Sequence, residues 1–448
     1  MKKIDYSLFK ILNEKEIKEE FIKKLSIIFS NLCKILNVFL SKRTLPTREI
    51  SFTLMKEIEK IETFLDDYGA SHNRTFFYFR ELIASIRWLN IALFHSLHIF
   101  ARIENYELQI KKNEKEKFIK ELETNTRFYF SCIKNLIKEL KKEAGKLGIE
   151  VHNEKFSEEL VLPKIQKKIL PPDLNTNSGT NGGNQIFNFL VKFLEESEKV
   201  NFLVCKKIYP EEVTEENLEK FRSIFHQLES MYDTFIIKTE IEKKTKYLIT
   251  FRGYIALILH LLEIGRALTH FYERHSDEVR KYKTAIKITK IVDKEKIKEI
   301  VKNFILFYSL FFISKGKSLS YKIFKSLGTE AEEFIIQTVV LLIPTHRIED
   351  FHIRPIMPIT QIANKYKFDT YLYFQRKKYN LKNAIEVAIA IPDIRDFLVN
   401  KDVELVVQGP EKAVKEICEF LKEKCGAQIQ PECETFPLSL KISLDTSL

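Results

Sequence analysis

The sequence predicts a largely helical N-terminal region followed by a small α+β domain. Three observations carry this. Apolar residues recur at three- and four-residue steps over the first 330 or so residues, as in Phe21, Leu25, Ile28, Leu32, Ile35 and Phe39. Glycine and proline number only 12 each in 448 residues, few for a loop-rich or all-β chain. From Phe334 onward, short β-branched runs alternate with helical stretches.

Taken in order, the first helical stretch breaks at Leu45-Pro46. A second is expected from Glu49 to Tyr68, ending at Gly69, a natural C-cap. Phe76–Ile103 and Glu114–Ala144 read as two more. Pro171-Pro172 then opens a polar, glycine-rich stretch to Asn184 that has little to bury and reads as a flexible linker. The helical pattern resumes from Gln185 to Leu327.

The two helical stretches resemble each other. At a constant offset of 172, Phe79–Ile103 falls on Phe251–His275, matching Phe79 with Phe251 and Arg80 with Arg252. His98 then meets His270 and Arg102 meets Arg274. Both halves close on Leu-Gly, at Leu147-Gly148 and Leu327-Gly328. The expectation is a tandem duplication of a four-helix unit. It gives bundles over 1–165 and 186–330 joined by a linker at 166–185, an α+β domain over 335–430 and a tail over 431–448.

Within the C-terminal domain, Ile335–Ile343, Asp369–Phe374 and Val403–Gln408 read as strands, and Arg354–Tyr366 and Glu411–Cys425 as helices. The expected order is strand, helix, strand, strand, helix, strand, helix.

Charge and cysteine usage exclude several classes. Lysine plus arginine total 73 against 62 acidic residues, a net charge of +11, but the lysines alternate with glutamates as on a solvated helix face. No basic stripe interleaved with aromatics is present, which argues against nucleic acid. The six cysteines form no C-x-x-C pair, and Cys418, Cys425 and Cys433 fit no zinc spacing, so no metal or disulfide is expected. The longest unbroken apolar runs, Phe304–Ile313 and Val339–Pro344, fall short of the roughly 18 residues of a bilayer span. No signal-peptide pattern opens the chain. The expectation is a cytoplasmic protein without a membrane span or cofactor.

One segment carries chemistry. In Asp350-Phe351-His352-Ile353-Arg354-Pro355, proline fits the first turn of a helix and sets His352 just before its N-terminus. Free amides and the helix dipole attract an anion there, and Arg354 adds a fork suited to a phosphoryl group. A neutral imidazole so placed is a nucleophile toward phosphorus.

With Leu381-Lys382-Asn383-Ala384-Ile385, 31 residues on, this segment resembles the HPr family, the histidine phosphocarriers of the sugar phosphotransferase system. The resemblance spans residues 335–428 and rests on the two motifs, their order and their spacing. It implies an open-faced β-sandwich, a four-stranded antiparallel sheet with helices on one face. It implies phosphorylation of His352 on Nδ1, neutralisation by Arg354, and hydrogen bonds from the amides of Ile353 and Arg354. The implied donor is phosphorylated enzyme I, charged by phosphoenolpyruvate, and the acceptor a permease subunit or a regulator. Four positions depart from the family pattern. Asp350 replaces a glycine and would repel a phosphohistidine; Ile353 and Ile356 replace small residues at a docking surface; Asn383 replaces a regulatory serine, so control by the serine kinase is not expected.

The alternative is a non-enzymatic scaffold whose HPr-like domain no longer takes phosphate, with the helical part as partner surface or oligomer contact. Elsewhere, Asp66-Asp67 with His72, Arg74, Arg80 and Glu81 is the densest polar cluster; salt bridging explains it as well as a metal or anion does. The second half lacks it, carrying Glu240-Ile-Glu-Lys-Lys instead. His98/His270 and Arg102/Arg274 suit a phosphate or a carboxylate or, more simply, buried polar pairing between helices. His95 and His98 share a helix face but lack a completing carboxylate for a metal.

Overall fold

The computed structural model describes residues 11–154, 182–205, 213–237, 242, 245–275, 284, 286–326, 336–366, 368–375 and 377–429. Residues 155–165 of the expected first bundle, 166–181 of the expected linker, the tail 431–448 (with Cys433) and Leu327-Gly328 lie outside the described residues. The chain is mostly helical, with one antiparallel sheet of five strands at its C-terminal end. It divides into two compact units, neither continuous in sequence: Met1–Thr176 with Val213–Phe225 and Gly253–Phe312, and Asn177–Glu212 with His226–Arg252 and Ile313–Leu448.

The helices are α1 (Glu14–Ser41), α2 (Arg48–Asp67), α3 (Phe77–Arg102), α4 (Lys112–Lys146), α5 (Gly182–Cys205), α6 (Glu215–Phe235) and α7 (Lys246–His270). Helix α8 (Lys294–Ile300) runs through a wider π-helical turn, Val301–Leu306, into α9 (Phe307–Ser326). Local chemistry sets their ends. Thr47 caps α2 by accepting from the Ile50 amide at 3.4 Å. The chain leaves α2 through Gly69 in the left-handed region, φ 69°, which glycine adopts without penalty.

In the first unit, Ile50, Leu54, Ile58, Ile61 and Leu65 form one fully apolar stripe of α2. It packs with Leu25, Phe29 and Leu32 of α1, Phe79, Leu82 and Leu89 of α3, and Leu122, Ile133 and Leu140 of α4 into the core of that bundle. Cys33 and Cys132 are buried and unpaired there.

The sequence-based exclusion of a membrane span does not hold. Three helices, Glu14–Ser41, Phe77–Tyr106 and Lys246–His275, are long and apolar enough to cross a bilayer. Each contains an 18-residue window with at most two charged residues, and 56 %, 78 % and 78 % of those windows are buried inside the protein. Unbroken runs were the wrong measure, because a helix stays apolar on average when an isolated Arg80, Glu81 or Arg87 interrupts it.

In the second unit, the strands are β1 (Ile336–Ile343), β2 (Tyr371–Phe374), β3 (Lys377–Asn380), β4 (Val403–Pro410) and β5 (Gln428–Ile429). Their order is β3-β2-β4-β1-β5, all antiparallel, with Val339 opposite Val407 and Leu372 opposite Val407 from the other side. Between them lie α10 (Ile353–Ile356), α11 (Ile359–Asn364), α12 (Ala384–Leu398) and α13 (Glu411–Cys425). The element order is the expected one, except that the first expected helix is split into α10 and α11 and β5 is added. Leu341, Ile343, Leu405 and Val407 meet Ile356, Ile359, Ile391, Ile394, Ile417 and Leu421 in one core. Cys418 and Cys425 are buried and free in it. Gly409 is required because a Cβ there would lie 2.7 Å from the Thr370 side chain.

The expectation of helices on one face only needs correcting. Helix α5 packs on β1, and the charge of its Glu195 acts on Tyr371 of β2. Val406 and Gln408, which alternate away from the core residues of β4, are buried as well. Gln408 bridges that face by donating to Thr338 at 3.2 Å and accepting from Tyr373 at 2.9 Å.

Candidate functional site

The segment holding His352 is built by anchors on both sides. Phe351 and Ile356 are 1 % and 3 % exposed and belong to the domain core, so the residues between them are pushed outward. His352 is the N-cap of α10, with extended backbone (φ −140°, ψ 175°), an exposed side chain and no cap hydrogen bond from that side chain. Its carbonyl accepts from the Ile356 amide at 3.3 Å. The amides of Ile353 and Arg354 fall in the first turn, where no intrahelical acceptor exists. Arg354 is exposed in the same turn, and Pro355 follows it.

Asp350 does not confront His352 as an unpaired charge. Its Oδ2 lies 2.6 Å from Nε of Arg347. Arg347 in turn lies over Gly426, the left-handed C-cap of α13 (φ 63°), where a Cβ would stand 3.3 Å from Arg347 Cγ. The two bulky departures separate: Ile356 is a core residue, not a surface one, while Ile353 is 48 % exposed. Helix α10 packs on α12, whose Ile385 and Ile389 are 71 % and 54 % exposed, so three isoleucines lie on the surface of packed helices.

Asn383 has a structural role. It caps α12, accepting from the amides of Ile385 at 3.0 Å and Glu386 at 3.5 Å. Glu386 reaches back to the Asn380 amide at 2.6 Å.

The other polar candidates resolve into pairs within the first unit. Arg80 holds Asp66 with two bonds of 2.9 Å and Glu81 at 3.0 Å, while Asp67, His72 and Arg74 are exposed. This is the salt-bridge reading of the cluster. Its central fork has a counterpart in the second unit, where Arg252 holds Asp233 at 2.8 and 3.2 Å. Among the described residues no group of three metal-binding side chains converges.

Sequence reasoning missed how the matched histidines are used. His98 Nδ1 lies 3.2 Å from Arg48, and its ring lies tilted by 41° against His260, centroids 4.0 Å apart. His270 Nδ1 lies 2.8 Å from Glu215 and its ring stacks on Trp88 at 3.6 Å. Arg274 also reaches Glu215, at 3.4 Å, and Arg102 is exposed. His95 and His260 share an Nδ1–Nδ1 hydrogen bond of 3.0 Å, so one ring donates and the other accepts. His275, 4 % exposed, lies 3.0 Å from Glu81. The signal was present in the sequence: the offset of 172 that aligns His98 with His270 also aligns Trp88 with His260.

Burial pushes His95 down to about 4 and His260 down to about 2, the latter also through its neighbours His95 and His98. Burial and then Arg48 lower His98. All three are neutral at pH 7.

No family model matches the chain, and no curated protein or solved structure matches it either.

Proposed function

We propose that this protein is a histidine phosphocarrier or phosphorylation-responsive regulator whose acceptor is His352. The observation that carries the reading is the geometry of that residue. An exposed imidazole stands at a helix N-cap beside two first-turn amides and Arg354, and the Asp350 carboxylate two residues before it is engaged by Arg347. A phosphoryl group on Nδ1 would be met by amide dipoles and a guanidinium, which stabilise the charge on its oxygens. Nδ1 of His352 attacks phosphorus, the bond to the donor's imidazole breaks, that ring leaves neutral once it has taken up a proton, and the His352 ring gives up its Nε2 proton to the medium.

The order of strands and helices in the C-terminal domain supports the resemblance to the HPr family, as does the surface of Ile353, Ile385 and Ile389 beside His352. These residues are the proposed contact for an enzyme I-like donor. Helix α5 packs on β1 from the opposite face of the sheet. The paired forks Arg80–Asp66 and Arg252–Asp233 support the duplication of the helical region.

The test is incubation of the full chain with phosphoenolpyruvate and enzyme I from the same cell. Acid-labile phosphate is expected on the wild type and not on His352→Ala. No transfer, with an ordinary HPr labelled in the same tube, rejects the carrier reading and leaves the scaffold.

A further inference from the structure

Helices α3 and α7 run antiparallel in the first unit, touching in succession at Glu81–His275, Trp88–His270, His98–His260 and Tyr106–Gly253. The contact is pseudo-symmetric. Each matched histidine, His98 or His270, packs its ring against the residue that its counterpart's helix carries at the matched ring position, His260 (tilted by 41°) or Trp88 (stacked). Each is also hydrogen-bonded from the start of a preceding helix, by Arg48 of α2 or Glu215 of α6. The symmetry is broken in charge.

At one end, three imidazoles meet cations. His98 faces Arg48 of α2, His260 of α7 and Arg102 of its own helix. His260 faces His95, His98 and Arg48. His95 faces His260, Glu263 and Arg266 of α7, His98 of its own helix and Arg222 of α6. Among the carboxylates there, Glu263 is held by Arg266 at 3.1 Å and Arg222 at 3.3 Å, Glu219 holds Arg222 at 2.6 Å and lies 3.5 Å from Arg266, and Glu49 lies 3.5 Å from Arg48. At the other end every imidazole has an acid. His270 faces Glu215, with Arg274 and His275 beside it, and His275 faces Glu81, which Arg80 binds at 3.0 Å.

We infer that this contact is an acid-released latch with a hinge: protons taken up at His95, His98 and His260 part α3 from α7 at the Arg48 end, while Glu215–His270 and Glu81–His275 hold the other end closed. The bonding requires it. The Nδ1–Nδ1 bond of His95 and His260 needs one ring nitrogen bare, and the Arg48–His98 bond needs Nδ1 of His98 bare. A proton at either acceptor converts a hydrogen bond into a donor facing a donor. His270 Nδ1 instead faces a carboxylate oxygen of Glu215, so a proton there leaves a donor facing an acceptor, although burial lowers that ring to about 4 as it does His95. The apolar bundle core and the Arg80–Asp66 fork contain none of these histidines, so the helices outlast the contact.

The experiment is hydrogen exchange of the full chain from about pH 7.5 to about pH 4.5, corrected for intrinsic rates, with far-UV circular dichroism alongside. Protection over 92–106 and 253–263 is expected to fall by about tenfold per pH unit for each proton taken up below about pH 6.5, while 77–90 and 264–275 stay protected and helix content is kept. Arg48→Glu gives the His98 imidazolium a carboxylate partner and is expected to move the opening about one pH unit lower. Unchanged protection down to about pH 4.5, loss of both ends together with helix content, or an Arg48→Glu profile that overlays the wild type would each overturn the latch. If that variant does not fold, the wild-type difference between the two ends decides alone.

Discussion

Gly253 and Gly145 offer a matched pair of identical substitutions with opposite outcomes. Both are helical, and alanine in a helix interior is favoured over glycine by about 1 kcal/mol. At Gly145, the last residue but one of α4, a Cβ meets nothing within 4 Å, so Gly145→Ala gains up to about 1 kcal/mol of that propensity. At Gly253 of α7 a Cβ would stand 2.5 Å from the Tyr106 carbonyl oxygen and 2.8 Å from Tyr106 Cβ. The first of these is backbone and cannot rotate away, so α7 must move off the Ile103–Tyr106 turn, an overpacking cost of about 1–3 kcal/mol. Propensity largely cancels in the comparison, so Gly253→Ala should be less stable than Gly145→Ala by about 1–3 kcal/mol. Trp88 is the single tryptophan and lies on α3 in the same unit, so its emission during urea unfolding reports the right transition. Equal stabilisation of both variants would refute the close approach of α7 to Tyr106.

The remaining predictions are direct. Asn383→Ala should lower the stability of the C-terminal domain by about 1 kcal/mol, while Asn383→Ser, which also caps, should stay within a few tenths, as read from urea midpoints. His95 and His260 have lowered pKa values in the folded state, so the unfolded chain binds more protons below pH 6.5; stability of the first unit is complete above that and declines as the pH falls toward about 4, by up to about 1.4 kcal/mol per pH unit for each histidine. Arg347→Met frees the Asp350 carboxylate beside the acceptor and should slow phosphoryl transfer to His352; restoring the rate with Asp350→Asn in the same chain would assign the effect to that charge. Ile385→Asp should weaken transfer by raising the apparent KM for the donor, with the unfolding midpoint unchanged because the residue is 71 % exposed.

Much of the C-terminal domain was legible because its signals are local. The helix Glu411–Cys425 has the expected bounds, and β1 begins at Ile336, one residue from the expected start. The stretch Arg354–Tyr366 read as one helix but is two, because Pro358 has no amide to bond the Arg354 carbonyl and restarts the chain as the N-cap of α11. β2 begins at Tyr371, not Asp369, since the Thr370 carbonyl is taken by the Leu381 amide at 2.7 Å. What the sequence did not disclose is set by partners distant in the chain. The buried second face of the sheet depends on α5, some 140 residues before β1. The pairing of Arg48 with His98 and of Glu215 with His270 depends on which helix start reaches which ring. Asp350 looked like an obstacle to phosphorylation because Arg347 is identified as its partner only once α13 ends at Gly426. The membrane-length helices escaped because their apolarity is an average over turns.

The most direct test of the phosphocarrier account is phosphorus NMR of the protein after treatment with phosphoenolpyruvate and enzyme I. The account expects one phosphoimidazole resonance, on Nδ1, present in the wild type and in His346→Ala and lost in His352→Ala. A resonance that survives in His352→Ala, or none in any form while a control carrier is labelled, would contradict it.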